Sequence, residues 1–394
     1  MRPDLQQAFS ERVTDASYDR FTRELDAWMG FPIEYRVCEM PIFTSHLLRQ
    51  KLEEATISIL QQCCTEEARQ RTVSTIPKDC TVPREPDRPL FAVVDFAICE
   101  DEAGDYVPRL IELQGFPSLY GYQYVFASRI RDQYGLYDTT PFFGGLDDKH
   151  YLRLLRSAIF ADVDPHECAL LEVDPDHQKT RPDFRAMERL IGLPTVDIRS
   201  VVKRGNGLFA RIDGRDVQLR RVFNRAIVDE LEQSGTQLPF AWTDDLDIEW
   251  AGHPNWYFRI SKAVLPWLQH STVPRTTLLH EIGELPHHLD RFVLKPLYSF
   301  AGQGVVVAPT EADIAAIPEQ QREGWILQER VDYASCVPTP FGSNRVEIRV
   351  MTIWPDDEPA PHCVMSLART GRGKLMGARY NTEPWTGSSG CLFV

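Results

Sequence analysis

The chain has 394 residues, 43% of them hydrophobic and 25% charged, with a formal net charge of -14. This is the composition of a globular protein with enough apolar material for a large core and more than one lobe. The acidic excess and the lack of a basic run argue against a nucleic-acid backbone as the main partner, and no apolar run is long enough to cross a bilayer.

The opening MRPDLQQAFSERVTD is polar and does not read as a secretion signal. Nine cysteines are scattered without a C-x-x-C pair, which points to reduced thiols and a cytoplasmic location. Residues 1–70 read as helical, over Asp15–Met29 and more clearly over His46–Cys64, where Leu47, Leu48, Leu52, Ile57 and Leu60 recur at helical spacing. Thr72–Pro89, rich in proline and charge, reads as a linker.

Phe91–Ile98 is an apolar strand interrupted by Asp95, and Val107–Gln114 is its returning partner. Alternation puts Glu112 and Gln114 on one face, and Asp95 can lie beside them if the strands pair. Two carboxylates and an amide oxygen on one face suit a hard cation such as Mg2+; the alternative is a polar, solvated sheet face. Tyr120–Arg131 and His150–Phe160 read as helices, with a loop at Asp138–Gly145.

Glu167–Val173, Arg181–Ile191 and Thr195–Ile198 give a β-α-β order, hence a small parallel α/β lobe over roughly 165–200. Asp213-Gly214 between Leu208–Ile212 and Val217–Leu219 signals a hairpin. Arg220 and Arg221 are expected to end its second strand, and Asn224-Arg225 to open a helix. Paired arginines at a strand end suit an anion clamp or a solvated end. In Leu278–Leu289, His280-Glu281 with Glu284 lacks the second histidine of a zinc-protease helix, and Gly283 and Pro286 break the helix.

The stretch most suggestive of chemistry is Phe292–Gly304. Phe-Val-Leu forms a short strand, Lys295 stands at its end, and a turn with Gly302, Gln303 and Gly304 leads to Val305–Val307. Glycines let backbone N–H groups approach oxygens and the lysine adds a point charge, as a polyphosphate requires; an ordinary hairpin with a lysine at its mouth is the plainer reading. Trp325–Val331, Val346–Trp354 and His362–Arg369 read as strands, with Glu347 and Arg349 on one face of the second, and Trp385–Val394 closes the chain.

In order and spacing, these pieces resemble the circularly permuted ATP-grasp ligases, in particular the glutathionylspermidine synthase-like enzymes. Ser261–Pro266 looks like the family's first lysine segment, and Phe292–Gly304 like its second lysine strand and phosphate-covering loop. Trp325–Val331 looks like the adenine-reading hinge. Val346–Trp354 and Leu367–Arg369 followed by Asn381 look like the closing strands, while Asp95, Glu112 and Gln114 followed by Pro117-Ser118 look like the metal strands. The fold so implied is α+β, an ATP-grasp with a small α/β lobe and a helical N-terminal region. Its domains would be 1–80 (helical), 81–160 (metal strands), 161–250 (substrate lobe) and 251–394 (nucleotide lobes).

The resemblance implies a ligase that joins a carboxylate to an amine through an acyl phosphate, releasing ADP and phosphate. Lys262 and Lys295 would neutralise ATP phosphates under the loop Ser299–Gly304, and Gln328, Glu329, Arg330 and Val331 would hold the base. Mg2+ would sit on Asp95, Glu112 and Gln114. Arg349, Arg369 and Arg221 are the candidates for contacts to the transferred phosphoryl group or the substrate. The partners would be a small acid and an amine (amino acid, peptide or polyamine), with neither nucleic acid nor membrane; the oligomeric state stays open. Two positions depart from the pattern: Val93 stands where an arginine is expected two residues before the metal aspartate, and Gln114 where an asparagine is usual. They keep open a second expectation, a nucleotide-binding protein without ligase turnover.

Overall fold

The computed structural model describes every residue except 117, 229–230, 232–234, 298–303, 374–375 and 378–380. Its architecture is α+β. Six strands frame the site: β1 (Phe91–Glu100), β2 (Tyr106–Gln114), β3 (Phe292–Pro296), β4 (Trp325–Glu329), β5 (Arg345–Ile353) and β6 (His362–Gly371). A five-stranded antiparallel sheet runs in the order Gly387–Ser389, β6, β5, β1, β2. A four-stranded antiparallel sheet runs Thr276–Leu278, β4, β3, Val306–Val307.

β1 is buried along nearly its whole length because both faces of its sheet are covered. One face, with Val94 and Phe96 of β1 and Ile348 and Val350 of β5, packs against Leu48, Leu52, Ala55 and Ile59 of the helix His46–Cys63. Ser45 caps that helix by accepting from the Leu48 amide, and each aliphatic side chain so buried contributes about 1.5–3 kcal/mol. The other face is divided. Phe91, Val93, Met351 and Ile353 make its apolar half, packed on Tyr120, Tyr151 and Leu155. Asp95, Glu347 and Arg349 follow on the same face, since side chains alternate with period two and Val93 pairs with Met351, Asp95 with Arg349. Val93, fully buried in the apolar half, offers no polar surroundings for the arginine that the resemblance leads one to expect there.

The small lobe is a parallel sheet in the order Glu249–Ala251, Arg221–Asn224, Cys168–Glu172, Thr195–Asp197. The helix Arg181–Ile191 makes the crossover between its last two strands. The Asp213-Gly214 hairpin forms, both residues having positive φ. Arg221–Asn224 differs from expectation. It is a strand of the parallel sheet, and Asn224 closes it rather than opening a helix. Val222 and Phe223 are buried on opposite faces, and a four-residue segment carries too little periodicity to separate strand from helix. Cys391–Phe393 pairs in parallel with Ile42–Thr44, and all nine cysteines are free. Among the described residues, no helix is long and apolar enough to cross a membrane.

Candidate functional site

β3 and β4 bring two of the sequence candidates together. Val293 pairs with Gln328, so Lys295, two residues on, lies diagonal to it, and Lys295 Nζ donates to Gln328 Oε1 at 2.6 Å. Gln328 in turn donates to Thr276 Oγ1 at 3.2 Å. The lysine also crosses to the other sheet and donates to the Ile111 carbonyl at 3.2 Å. Ile111 is the extra residue of a bulge in β2: Asp95 pairs with Glu112 and Phe96 with Leu110, which leaves Ile111 unmatched. Burial pushes Lys295 down to about 8; Glu112 and Glu347 oppose that shift and Lys262 adds to it. Lys262 arrives from a separate segment, the 3-10 turn Lys262–Trp267, capped by the Ser261 side chain on the Ala263 amide.

These residues line a cavity of about 520 Å³ between the two sheets. Its polar wall holds Lys262, Lys295, Glu112, Glu347, Arg369 and Tyr333, and Val293, Val305, Val307 and Met376 give apolar surface. Gln328, Glu329, Arg330 and Val331 run along the β4 side. The Glu329 and Arg330 amides donate to the Arg275 and Arg291 carbonyls, both at 2.8 Å, which fixes this segment against its neighbours. The volume falls within the range of small-molecule sites. Gly302 and Gln303, with most of the loop assigned to the phosphates, lie outside the described residues; Gly304 is described, with φ +73°.

Behind this wall lies an ion-pair chain. Tyr333 donates to Glu347 Oε1 at 2.5 Å, and Arg369 contacts Glu347 Oε2 at 3.3 Å and Asp95 Oδ2 at 3.0 Å. Arg349 forms a fork on Asp95, Nε to Oδ1 at 2.6 Å and Nη2 to Oδ2 at 2.7 Å. Burial alone raises the Asp95 carboxyl, but Arg349 and Arg369 outweigh it and hold it down at about 2. Burial raises Glu347, with Arg369 and the Tyr333 hydroxyl opposing.

At three of the expected sites the side chains are engaged with other partners in this geometry. Asp95, Glu112 and Gln114 do share a sheet region, but they do not present an open donor set for Mg2+. Asp95 is 1% exposed with both oxygens on guanidiniums, and Gln114 donates its amide Nε2 to Glu112 Oε1 at 3.1 Å. Of the three, only Glu112 lines the cavity, and among the described residues no group of three or more His, Cys, Asp or Glu side chains is placed to hold a metal ion. Arg349 does not line the cavity either, being committed to Asp95. Arg221 is remote in role. Its guanidinium donates to the Ala158 and Ile159 carbonyls at 3.0 and 2.8 Å, capping the last turn of the helix Asp148–Phe160, and pairs with Glu249 at 2.6 Å. Sequence reading gave Tyr333 no role and Arg345 none, and neither carries a local signal, since both reach the cavity only through tertiary packing.

No protein-family model matches the chain, and no curated protein matches it. Among solved structures the fold is similar to the apo form of a glutathione synthetase-like effector from Globodera pallida. The two share 10% sequence identity with a TM-score of 0.58, over 95% of this chain and 96% of that one. The likeness is one of fold.

Proposed function

We propose that this chain binds ATP in the cavity between its two sheets and is a carboxylate–amine ligase of the circularly permuted ATP-grasp type, akin to glutathionylspermidine synthase-like enzymes. The observation that carries the nucleotide reading is the convergence of Lys262 and Lys295, both 7% exposed, from separate segments onto one cavity with an apolar wall. Two nearly buried ammonium groups side by side raise each other's cost, and a polyphosphate relieves it. The order of elements supports the permuted arrangement, because the strands that carry Asp95 and Glu112 precede those that carry the lysines.

In the ligase reaction a substrate carboxylate oxygen attacks the γ-phosphorus and ADP leaves. An amine then attacks the acyl carbon, and phosphate leaves as the amine loses a proton. Lys262 and Lys295 neutralise phosphate charge, and Arg369, which lines the cavity, is the candidate for a contact to the transferred phosphoryl oxygens. No step is assigned to a metal on Asp95. A second reading, a nucleotide-binding protein without turnover, is favoured by one observation: the aspartate expected to hold the metal is locked between Arg349 and Arg369.

Phosphate release from ATP, measured across panels of amino acids, short peptides and polyamines, separates the two. Stimulation by an acid–amine pair supports the ligase. Nucleotide-dependent thermal stabilisation with no stimulated release supports the binding protein, and no stabilisation by ATP or ADP removes both.

A further inference from the structure

The Arg349 guanidinium lies between two carboxylates. It makes the fork on Asp95 described above, and its Nη2 is 4.0 Å from Glu112 Oε1. A cation bridging Asp95 and Glu112 would have to occupy that same space. Arg369 holds the remaining side of Asp95, and Gln114 donates to the Glu112 oxygen that faces Arg349. Both carboxylates of the row therefore meet guanidinium charge before any metal arrives, although Arg369 is shared with Glu347.

The arrangement is fixed by the backbone. Arg349 on β5 is the direct cross-strand partner of Asp95 on β1, and Asp95 is the partner of Glu112 on β2, so the three stand in one row across the sheet. Arg349 is 9% exposed. A divalent ion entering the row would strip the fork from Asp95 and leave a buried guanidinium without its counter-charge. Mg2+ also demands near-octahedral oxygen ligands at about 2.0–2.1 Å, whereas the in-plane lone pairs of Asp95 already accept from the fork.

We propose that Arg349 is a built-in cation that takes the place of a divalent metal between Asp95 and Glu112, so that nucleotide polyphosphate binds in this cavity without Mg2+ on that pair. The part concerning nucleotide rests on the reading of the cavity given above; the part concerning the cation does not. Fixed guanidinium and ammonium groups then carry the charge balance that a metal would share.

Mn2+ titration followed by electron paramagnetic resonance tests the cation directly, on the full chain without nucleotide. Wild type and Asp95→Asn are expected to bind Mn2+ alike. Arg349→Met, which vacates the space and frees Asp95 Oδ1, is expected to gain one bound Mn2+ that Arg349→Met/Asp95→Asn loses again. A Mn2+ in the wild type that Asp95→Asn removes, or no gain in folded Arg349→Met, overturns the proposal. Should Arg349→Met not fold, wild type against Glu112→Gln decides: equal Mn2+ binding supports it and lost binding overturns it.

Calorimetry with ADP in EDTA and in Mg2+ tests the consequence. Dissociation constants within about threefold of each other are expected, and a strengthening by Mg2+ of about tenfold or more overturns the proposal while leaving the nucleotide site standing. Absence of ADP binding in both buffers sinks the nucleotide reading instead, and the Mn2+ comparison still decides the role of Arg349.

Discussion

Lys295 donates from Nζ to the carbonyl of Ile111, at 3.2 Å, and so ties the strand that carries the lysine to the bulge beside the acidic row. The contact explains how a lysine is tolerated at 7% exposure: two oxygen acceptors, the Ile111 carbonyl and Gln328 Oε1, accept hydrogen bonds from its ammonium. Burial nevertheless lowers it to about 8.

That value gives the first prediction, for ADP affinity against pH. A polyphosphate stabilises the charged lysine, so the bound pKa lies above the free one. Binding is then strongest below about 8, where free Lys295 is already charged, and weakens as pH rises above it, by up to about one log unit per pH unit. Calorimetry from pH 7 to 9.5 checks this. Lys295→Arg, which stays charged throughout, is expected to remove the dependence. A wild-type profile flat across that range would take Lys295 out of the phosphate contact.

Arg221 gives the second. Its three partners, Ala158, Ile159 and Glu249, are all structural. Arg221→Ala is expected to lose about 1–3 kcal/mol of stability in urea titration through the uncapped helix end, with nucleotide affinity unchanged. A loss of affinity with stability intact returns Arg221 to the site.

Much of the frame was legible in the sequence because its signals are local. Asp15–Met29 and Arg181–Ile191 have the bounds that their apolar spacing indicated, and the Asp213-Gly214 turn joins its two strands. Lys262 and Lys295 were found as candidates and stand on one cavity wall. What escaped was set by partners distant in sequence. Nothing around Asp95 announces Arg349, which lies 254 residues away, so a buried acid between Val and Phe read as a metal ligand. The doublet Arg220-Arg221 read as one unit, whereas Arg220 lies in the bend between two strands and pairs with the exposed Asp247, and Arg221 opens the next strand and reaches a helix end. The parallel strand Arg221–Asn224 was hidden for the same reason, since its pairing with Cys168–Glu172 spans the whole crossover.

Gly115 gives the third prediction. It directly follows the site strand β2, and its amide donates to the Ile260 carbonyl at 3.1 Å, beside the turn that carries Lys262. A Cβ at this position would stand 2.2 Å from the Trp256 carbonyl oxygen, a backbone atom that cannot rotate away. Gly115→Ala is therefore expected to cost about 1–3 kcal/mol or more and, by displacing Lys262, to weaken ADP binding as well. Thermal melts with and without ADP measure both effects; an unaltered melting temperature would mean that the two segments separate freely.

The fourth concerns Asp95 in acid. Its folded carboxyl titrates at about 2, below its ordinary value of 3.8, because Arg349 and Arg369 outweigh the effect of burial. The sign follows from the direction. A depressed carboxyl contributes stability that is fully present above the unfolded pKa and is lost as pH falls through the folded one. Asp95→Asn leaves two guanidiniums, one of them buried, facing a neutral amide, and at pH 7 breaking a buried pair in this way costs on the order of 3–5 kcal/mol. As pH drops from about 4 towards 2, the wild-type carboxyl is neutralised too, so the gap between the two proteins should narrow. Urea titrations of wild type and Asp95→Asn at pH 7, 4, 3 and 2 follow that gap. The converse variant separates charge from shape: Arg349→Met at pH 7 should destabilise comparably, because Asp95 then keeps only Arg369, yet its loss should be smaller when Asp95→Asn is also present. A gap between wild type and Asp95→Asn that stays constant to pH 2 would mean that the fork on Asp95 is held by packing, with its charge of little consequence.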